Sequence, residues 1–169
     1  MIIETKFLLI RPPVIEDFDN YWVMNNDPEA KKYTGGVIKQ SYGEALSIHT
    51  KVCNEFDAKN KNNCIFSVVE KSSGQLIGYC GFKYCERMGD IEILYGFLRD
   101  SWGKGYGYEA AKAVLEYGIK ILKLKKIVAA VNPQNIASEK ILIKIGMTPN
   151  GKIMWGEQGL VNKYVFETD

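Results

Sequence analysis

The chain of 169 residues holds one histidine, His49, and four cysteines, Cys53, Cys64, Cys80 and Cys85. A histidine-based metal site needs more than that, and the cysteines show neither a CxxC pair nor a zinc-type spacing. They read as reduced thiols that pack like small hydrophobic groups. His49 has no acidic pattern around it and reads as structural. Charge of one sign is also scarce. Lysine and arginine total 22 against 20 acidic residues, a net charge of +2, and the scattered lysines form no basic stripe, which argues against a nucleic-acid partner. No apolar run approaches the roughly 20 residues that span a bilayer. The opening IIETKFLLIR lacks the sections of a secretory signal. Repeats, linkers and low-complexity segments are missing too. What remains is one expected cytoplasmic domain over residues 1–169, with an ordinary 46% hydrophobic and 25% charged composition.

Apolar periodicity supplies the expected elements. FLLIR (7–11) closes on Arg11 and Pro12-Pro13 and predicts a first strand. A helix is expected over 14–26, beginning near Glu16, and residues 25–36 are turn-rich. Over 41–59, Ala45, Ile48, Val52 and Phe56 stand at helical spacing. Three β-rich runs follow at 64–70, 75–84 and 90–99, joined by short turn signals, and predict an antiparallel meander. Ala110, Ala111, Val114, Leu115, Gly118, Ile121 and Leu122 then share a helical face. KKIVAAV (125–131) predicts a buried strand, 136–145 a short helix stopped by Gly146, and 153–167 a closing hairpin turning near Gly156 or Gly159. The sum is an α+β (mixed α/β) fold: about six to seven strands in a mostly antiparallel twisted sheet, flanked by about four helices.

Between the meander and the long helix lies SWGKGYGYEA (101–110). Three glycines in five positions carry a standing entropic cost. Successive N–H groups in such a turn can form an anion nest, and the helix N-terminus adds its positive end. Read alone, the loop fits either a phosphate cradle or a tight strand-to-helix turn. A P-loop needs GxxxxGK followed by Ser or Thr, which does not occur. A dinucleotide fingerprint fails because the loop follows a run of strands, its third glycine is displaced, and no acidic residue follows at ribose distance. A coenzyme A site remains.

WGKGYGYEAAKAVLEYG resembles the coenzyme-binding motif of the GNAT N-acetyltransferases, in particular the Rim-type branch that includes ribosomal-protein and polyamine acetyltransferases. FLLIRPPVIEDFDNYW (7–22), IGYCGF (77–82), EILYGFL (92–98) and NPQNIASEKILIKIGM (132–147) extend the resemblance over nearly the whole chain. It implies a GNAT-like fold, acetyl-CoA as donor, no metal, an amine acceptor, and a monomer or homodimer. By the same resemblance, Gly103, Lys104, Gly105, Tyr106, Gly107 and Tyr108 surround the pyrophosphate. Trp102 stands where the wider superfamily has Arg or Gln. Phe97 and Leu98 pair by backbone with the pantetheine amides.

Acetyl transfer needs a neutral amine, hence a base. Glu92 interrupts the apolar strand on the face of Leu94 and Gly96, and it sits where some members of the family place a catalytic glutamate. Partial burial would raise its pKa. Asp90 is its rival, and Glu109 complements the helix N-terminus. For the leaving thiolate, many relatives use a tyrosine where Leu142 stands here. Ser138, one turn earlier, matches the Rim-type serine. Asn135 is expected to contact pantetheine or to cap the helix. Trp22, Tyr33, Tyr42 and Trp155 could line an acceptor pocket or the core. A polyamine acceptor would call for an acidic groove, for which Glu16, Asp17, Asp19 and Asp27 are the candidates. The same residues would also suit a non-catalytic acyl-CoA-binding module.

Overall fold

Eight strands form one sheet in the described residues, 2–169, of the computed structural model. They are β1 (Ile3–Glu4), β2 (Leu8–Arg11), β3 (Asn63–Glu70), β4 (Leu76–Cys85), β5 (Asp90–Phe97), β6 (Lys126–Val131), β7 (Thr148–Met154) and β8 (Leu160–Glu167). Four helices accompany them: α1 (Phe18–Asn25), α2 (Tyr42–Glu55), α3 (Tyr106–Lys120) and α4 (Ile136–Lys144). The mixed α/β expectation holds, with slightly more strands than expected: the two-residue β1 pairs with β2, and β7 starts at Thr148, before the expected hairpin. Pro149, which cannot donate to a ladder, sits on this outermost strand where the register shifts.

The strand order is β1-β2-β3-β4-β5-β6-β8-β7. Every neighbouring pair is antiparallel except β5 and β6, which run parallel and share a single register pair, Glu92 with Val128. A parallel pair needs a crossover, and α3 provides it. Beyond that pair the two strands part, and the sheet opens there.

Ser67 and Phe66 fix the layers. Ser67 is hydrogen-bonded to Tyr21 of α1 at 2.7 Å, while the ring of Phe66 meets Tyr117 of α3 edge-on at 5.6 Å. Adjacent strand residues face opposite sides, so α1 and α3 cover opposite faces of the sheet. The core lies under α3, whose Ala110, Ala111, Val114 and Leu115 are buried against Phe66, Phe82 and Ile127. Burying each Val or Leu there contributes about 1.5–3 kcal/mol.

The apolar stripe expected on α2 is displaced. Ile48 and Val52 remain 53% and 46% exposed. The inward positions are Leu46, His49, Cys53 and Phe56, each partly buried. His49 packs 5.7 Å from Phe18 and 5.5 Å from Tyr21, and its Nε2 lies 2.8 Å from the Val14 carbonyl. A polar residue that buries its ring in this way breaks the apolar count by one position. His49 thus ties α2 to Phe18, Tyr21 and the Val14 carbonyl.

Candidate active site

β5 presents different chemistry on its two faces. Tyr95 and Phe97 point toward α3 and α4, where both pack against the core. Glu92, Leu94 and Gly96 alternate onto the other face. Past Val128 the gap between β5 and β6 becomes a cavity of about 670 Å³, walled by Glu92, Phe97, the glycine loop, Asn135 and Ser138. A second cavity of about 410 Å³, lined by Tyr33, Arg87, Asn132, Trp155 and Glu157, shares Glu92 with the first. One carboxylate thus stands in the wall of both.

The glycine loop has the geometry of a cradle. Gly103 and Gly105 hold φ of +77° and +81°, in the left-handed region that side chains avoid, and a Cβ built on either meets nothing within 4 Å. The chain bends there, and the space beside it is open. The first main-chain bond of α3 runs from the Glu109 N–H to the Gly105 carbonyl. The N–H groups of Tyr106, Gly107 and Tyr108 therefore precede the helical ladder and remain available to an anion. Trp102 donates its indole N–H to the Phe97 carbonyl at 3.0 Å, bracing the loop against the strand end.

Of the expected binding residues, Phe97, Trp102, Gly103, Gly105, Tyr106, Gly107, Tyr108 and Asn135 line the larger cavity; Leu98 and Lys104 do not. The Leu98 N–H is bonded to the Ile77 carbonyl at 2.8 Å. By strand alternation, the Phe97 amide faces the gap instead. Lys104 stands over the Tyr106 ring, 5.8 Å from its centre. Asn135 caps α4, accepting the Ser138 N–H at 3.2 Å.

Burial pushes the Glu92 carboxyl up to about 7, with Lys83, its cross-strand partner, pulling weakly the other way. Asp90 is tied to Lys126 at 2.8 Å. Glu109 accepts from Thr5 Oγ1 and the Phe7 N–H at 2.5 and 2.8 Å, so beyond its place at the helix start it fastens the β1–β2 turn.

Ser138 has a partner that the sequence did not announce. The Tyr95 hydroxyl lies 2.9 Å from Ser138 Oγ and 3.2 Å from its carbonyl oxygen. Burial pushes the Tyr95 phenol well above its ordinary range. Tyr95 and Ser138 both line the larger cavity, as does the apolar Leu142. Alternation along β5 was the available signal, since it puts Tyr95 on the face opposite Glu92. Arg87 was also missed. Its guanidinium stacks 5.0 Å from the centre of Trp155 at the second cavity.

The four candidate acidic residues do not gather into a groove. Asp17 is buried in a bidentate pair with Arg11, Asp27 binds Arg99, and Asp19 accepts the Tyr42 hydroxyl at 2.8 Å. Neither these nor Glu16 line either cavity. Tyr33 and Trp155 do line the smaller cavity, whereas Trp22 and Tyr42 pack against each other and against Phe18.

Residues 8–148 match the family model of the acetyltransferase (GNAT) domain. The chain belongs to the GNAT acetyltransferase family, and its class of activity is N-acetyl transfer. It is 31% identical over 169 residues to the uncharacterized N-acetyltransferase p20 of Bacillus licheniformis, covering 96% of this chain and 92% of that one. The crystal structure of an acetyltransferase (GNAT family) from Bacillus anthracis matches with a TM-score of 0.81 at 29% identity, over 99% of this chain and 98% of the other. RimL, the ribosomal L7/L12 alpha-N-protein acetyltransferase solved with coenzyme A, has a TM-score of 0.81 at 14% identity, over 100% and 99%, a likeness of fold alone. Among the described residues no helix is long and apolar enough to cross a membrane, and no group of three or more His, Cys, Asp or Glu side chains could hold a metal ion.

Proposed function

We propose that the protein transfers the acetyl group of acetyl-CoA to a primary amine by direct attack, with Glu92 as general base. The observation that carries this reading is the position of Glu92. It lies at the one register pair that joins β5 to β6, in the wall of both cavities, with its carboxyl near 7. A base poised near the working pH is partly ionised, yet still basic enough to take a proton from an ammonium, directly or through water.

The coenzyme fits the residues present. The open left-handed Gly103 and Gly105, with the free N–H groups of Tyr106, Gly107 and Tyr108, suit a pyrophosphate. The Phe97 amide faces the gap where pantetheine would lie. Bound acetyl-CoA supplies an activated thioester. The chain's own residues align the amine, take its proton through Glu92, and protect the departing sulfur on the opposite face. There the Ser138 hydroxyl, in contact with Tyr95, stabilises the thiolate and relays a proton to it. The acceptor side carries Lys31, Lys32 and Arg87 beside Glu29, Glu92 and Glu157, a mixed lining that does not favour a polycation.

The test begins with the thermal midpoint of the purified protein in acetyl-CoA, in NADH and in neither. Acetyl-CoA at a hundred times its Kd should add about 2.7 kcal/mol, and NADH nothing. Screening primary amines for release of free coenzyme A follows. Stabilisation without turnover on any amine would point to a non-catalytic acyl-CoA-binding module, and no stabilisation would remove the coenzyme site.

A further inference from the structure

Tyr79 on β4 carries a hydroxyl with no role in holding the coenzyme or moving its proton. It is paired with Gly96 across β4 and β5, and its ring crosses directly over that glycine. A Cβ at position 96 would stand 2.7 Å from Tyr79 Cε1 and 2.9 Å from its hydroxyl oxygen. Any larger residue would therefore displace the phenol, and glycine is what admits it. The crossing puts the hydroxyl over the strand segment between Tyr95 and Phe97, on the Glu92 face and beside the gap. Tyr79, Gly96 and Glu92 all line the larger cavity. No protein group hydrogen-bonds this hydroxyl among the described residues. Burial pushes the phenol up to about 12, with the nearby Glu92 carboxylate a minor contributor. At neutral pH it is therefore an intact O–H.

We propose that the Tyr79 hydroxyl, held over Gly96, is the group that receives the acceptor amine and distinguishes primary from secondary amines. The inference rests on the acetyl-transfer reading above. A neutral primary amine has two N–H bonds and one lone pair. One N–H donates to the Tyr79 oxygen, the other points along β5 toward Glu92, and the lone pair is left facing the gap. The nitrogen forms its bond to the acyl carbon as the carbon–sulfur bond breaks. The proton that Glu92 first takes from the ammonium passes on to solvent, the proton then lost from nitrogen goes to the freed carboxylate, and the sulfur keeps the electron pair until it is protonated. A secondary amine has only one N–H to offer. With that directed to Glu92, its extra carbon faces Tyr79 and the hydroxyl contributes nothing.

The test is Tyr79→Phe, which keeps the ring over Gly96 and removes only the oxygen. The probes are an alanine-initiated tripeptide amide and spermidine, each compared with its N-methylated counterpart at the reacting nitrogen. The variant is expected to lose about tenfold in kcat/KM on the primary amine, mostly through KM. The methylated amine should change less than twofold, and stabilisation by acetyl-CoA should match the wild type. Gly96→Ala, which pushes the ring aside, should reproduce the loss of discrimination. An equal fall on both amines would place the hydroxyl on the acyl half and overturn the assignment, and so would unchanged kinetics. A wild-type protein that binds acetyl-CoA but turns over neither probe would overturn the transfer reading for these amines, and this inference with it.

Discussion

The Tyr95 hydroxyl stands 2.9 Å from Ser138 Oγ, and the contact joins a strand to a helix 43 residues later in the chain. A lone serine is a weak acid, but a serine bonded to a phenol can pass a proton along two hydroxyls. Both sit on the face of β5 away from Glu92, so the proposed base and the proposed partners of the leaving sulfur stand on opposite sides of the strand.

If this pair serves the leaving sulfur, Ser138→Ala and Tyr95→Phe should each lower kcat about ten- to a hundredfold while acetyl-CoA still stabilises the fold. The double variant should lose little more than the worse single one, because the two groups act as a unit. Steady-state kinetics with a thermal-shift control decides it. Fully additive losses would show two independent roles.

As the proposed base, Glu92 should set the pH dependence of the rate. Its carboxyl must be ionised to act as base, and burial holds it near 7. kcat/KM should therefore climb about tenfold per pH unit below 7 and flatten above it. Glu92→Gln should abolish that rise and cost about a hundredfold or more at pH 8, with coenzyme binding retained. A pH profile that keeps its shape in the variant would move the base elsewhere.

The same carboxyl should weaken the fold. A folded-state value above the ordinary 4.5 means that the native protein binds a proton the unfolded chain has released, so stability falls as pH rises from about 4.5 through 7. Glu92→Gln removes this burden. At pH 8 the variant should be more stable by an amount on the order of 2 kcal/mol, and at pH 4 by almost nothing. Paired thermal melts at the two pH values give the answer, and a variant destabilised at pH 8 would contradict the burial argument.

The fold was legible in the sequence where local physics decides it. The face of α3 follows from apolar spacing, and Gly103 and Gly105 were marked by backbone conformations that other residues avoid. Glu92 stood out because a charge interrupts an apolar strand. Tyr95 and Tyr79 did not, because an aromatic on a strand looks like core, and only the parting of β5 from β6 turns that face into a cavity wall. No local pattern encodes that parting. The four acidic candidates do not gather for a similar reason: Asp27 finds Arg99 72 residues away, and such a partner cannot be read from spacing. On α2, His49 took an inward position that an apolar count would give to Ile48.

Gly105 makes the loop's role separable from its shape. At φ +81° an alanine costs about 1–2 kcal/mol in conformation alone. Gly105→Ala should therefore lower the thermal midpoint modestly and also remove most of the shift produced by acetyl-CoA, since the methyl group enters the open side of the cradle. If the coenzyme shift survives intact, the loop is a turn and the pyrophosphate lies elsewhere.

Asp17 should matter to the fold and leave the chemistry alone. Burial by itself would raise its carboxyl, but the Arg11 guanidinium, the Val14 N–H and the Ser67 hydroxyl together hold it below its ordinary range. The folded state therefore favours the ionised form. This contribution is complete above about pH 4 and is lost as pH falls through the depressed folded value. Asp17→Asn leaves the Arg11 charge without its partner at a largely buried site and should cost about 3 kcal/mol at neutral pH. Because the loss comes from the ionised carboxylate, the gap between wild type and variant should narrow on acidification below pH 4. Denaturant titrations at pH 7 and pH 3 test both points. A gap that stays constant across that range would mean that Asp17 stabilises the fold by shape and neutral hydrogen bonding instead of by its charge.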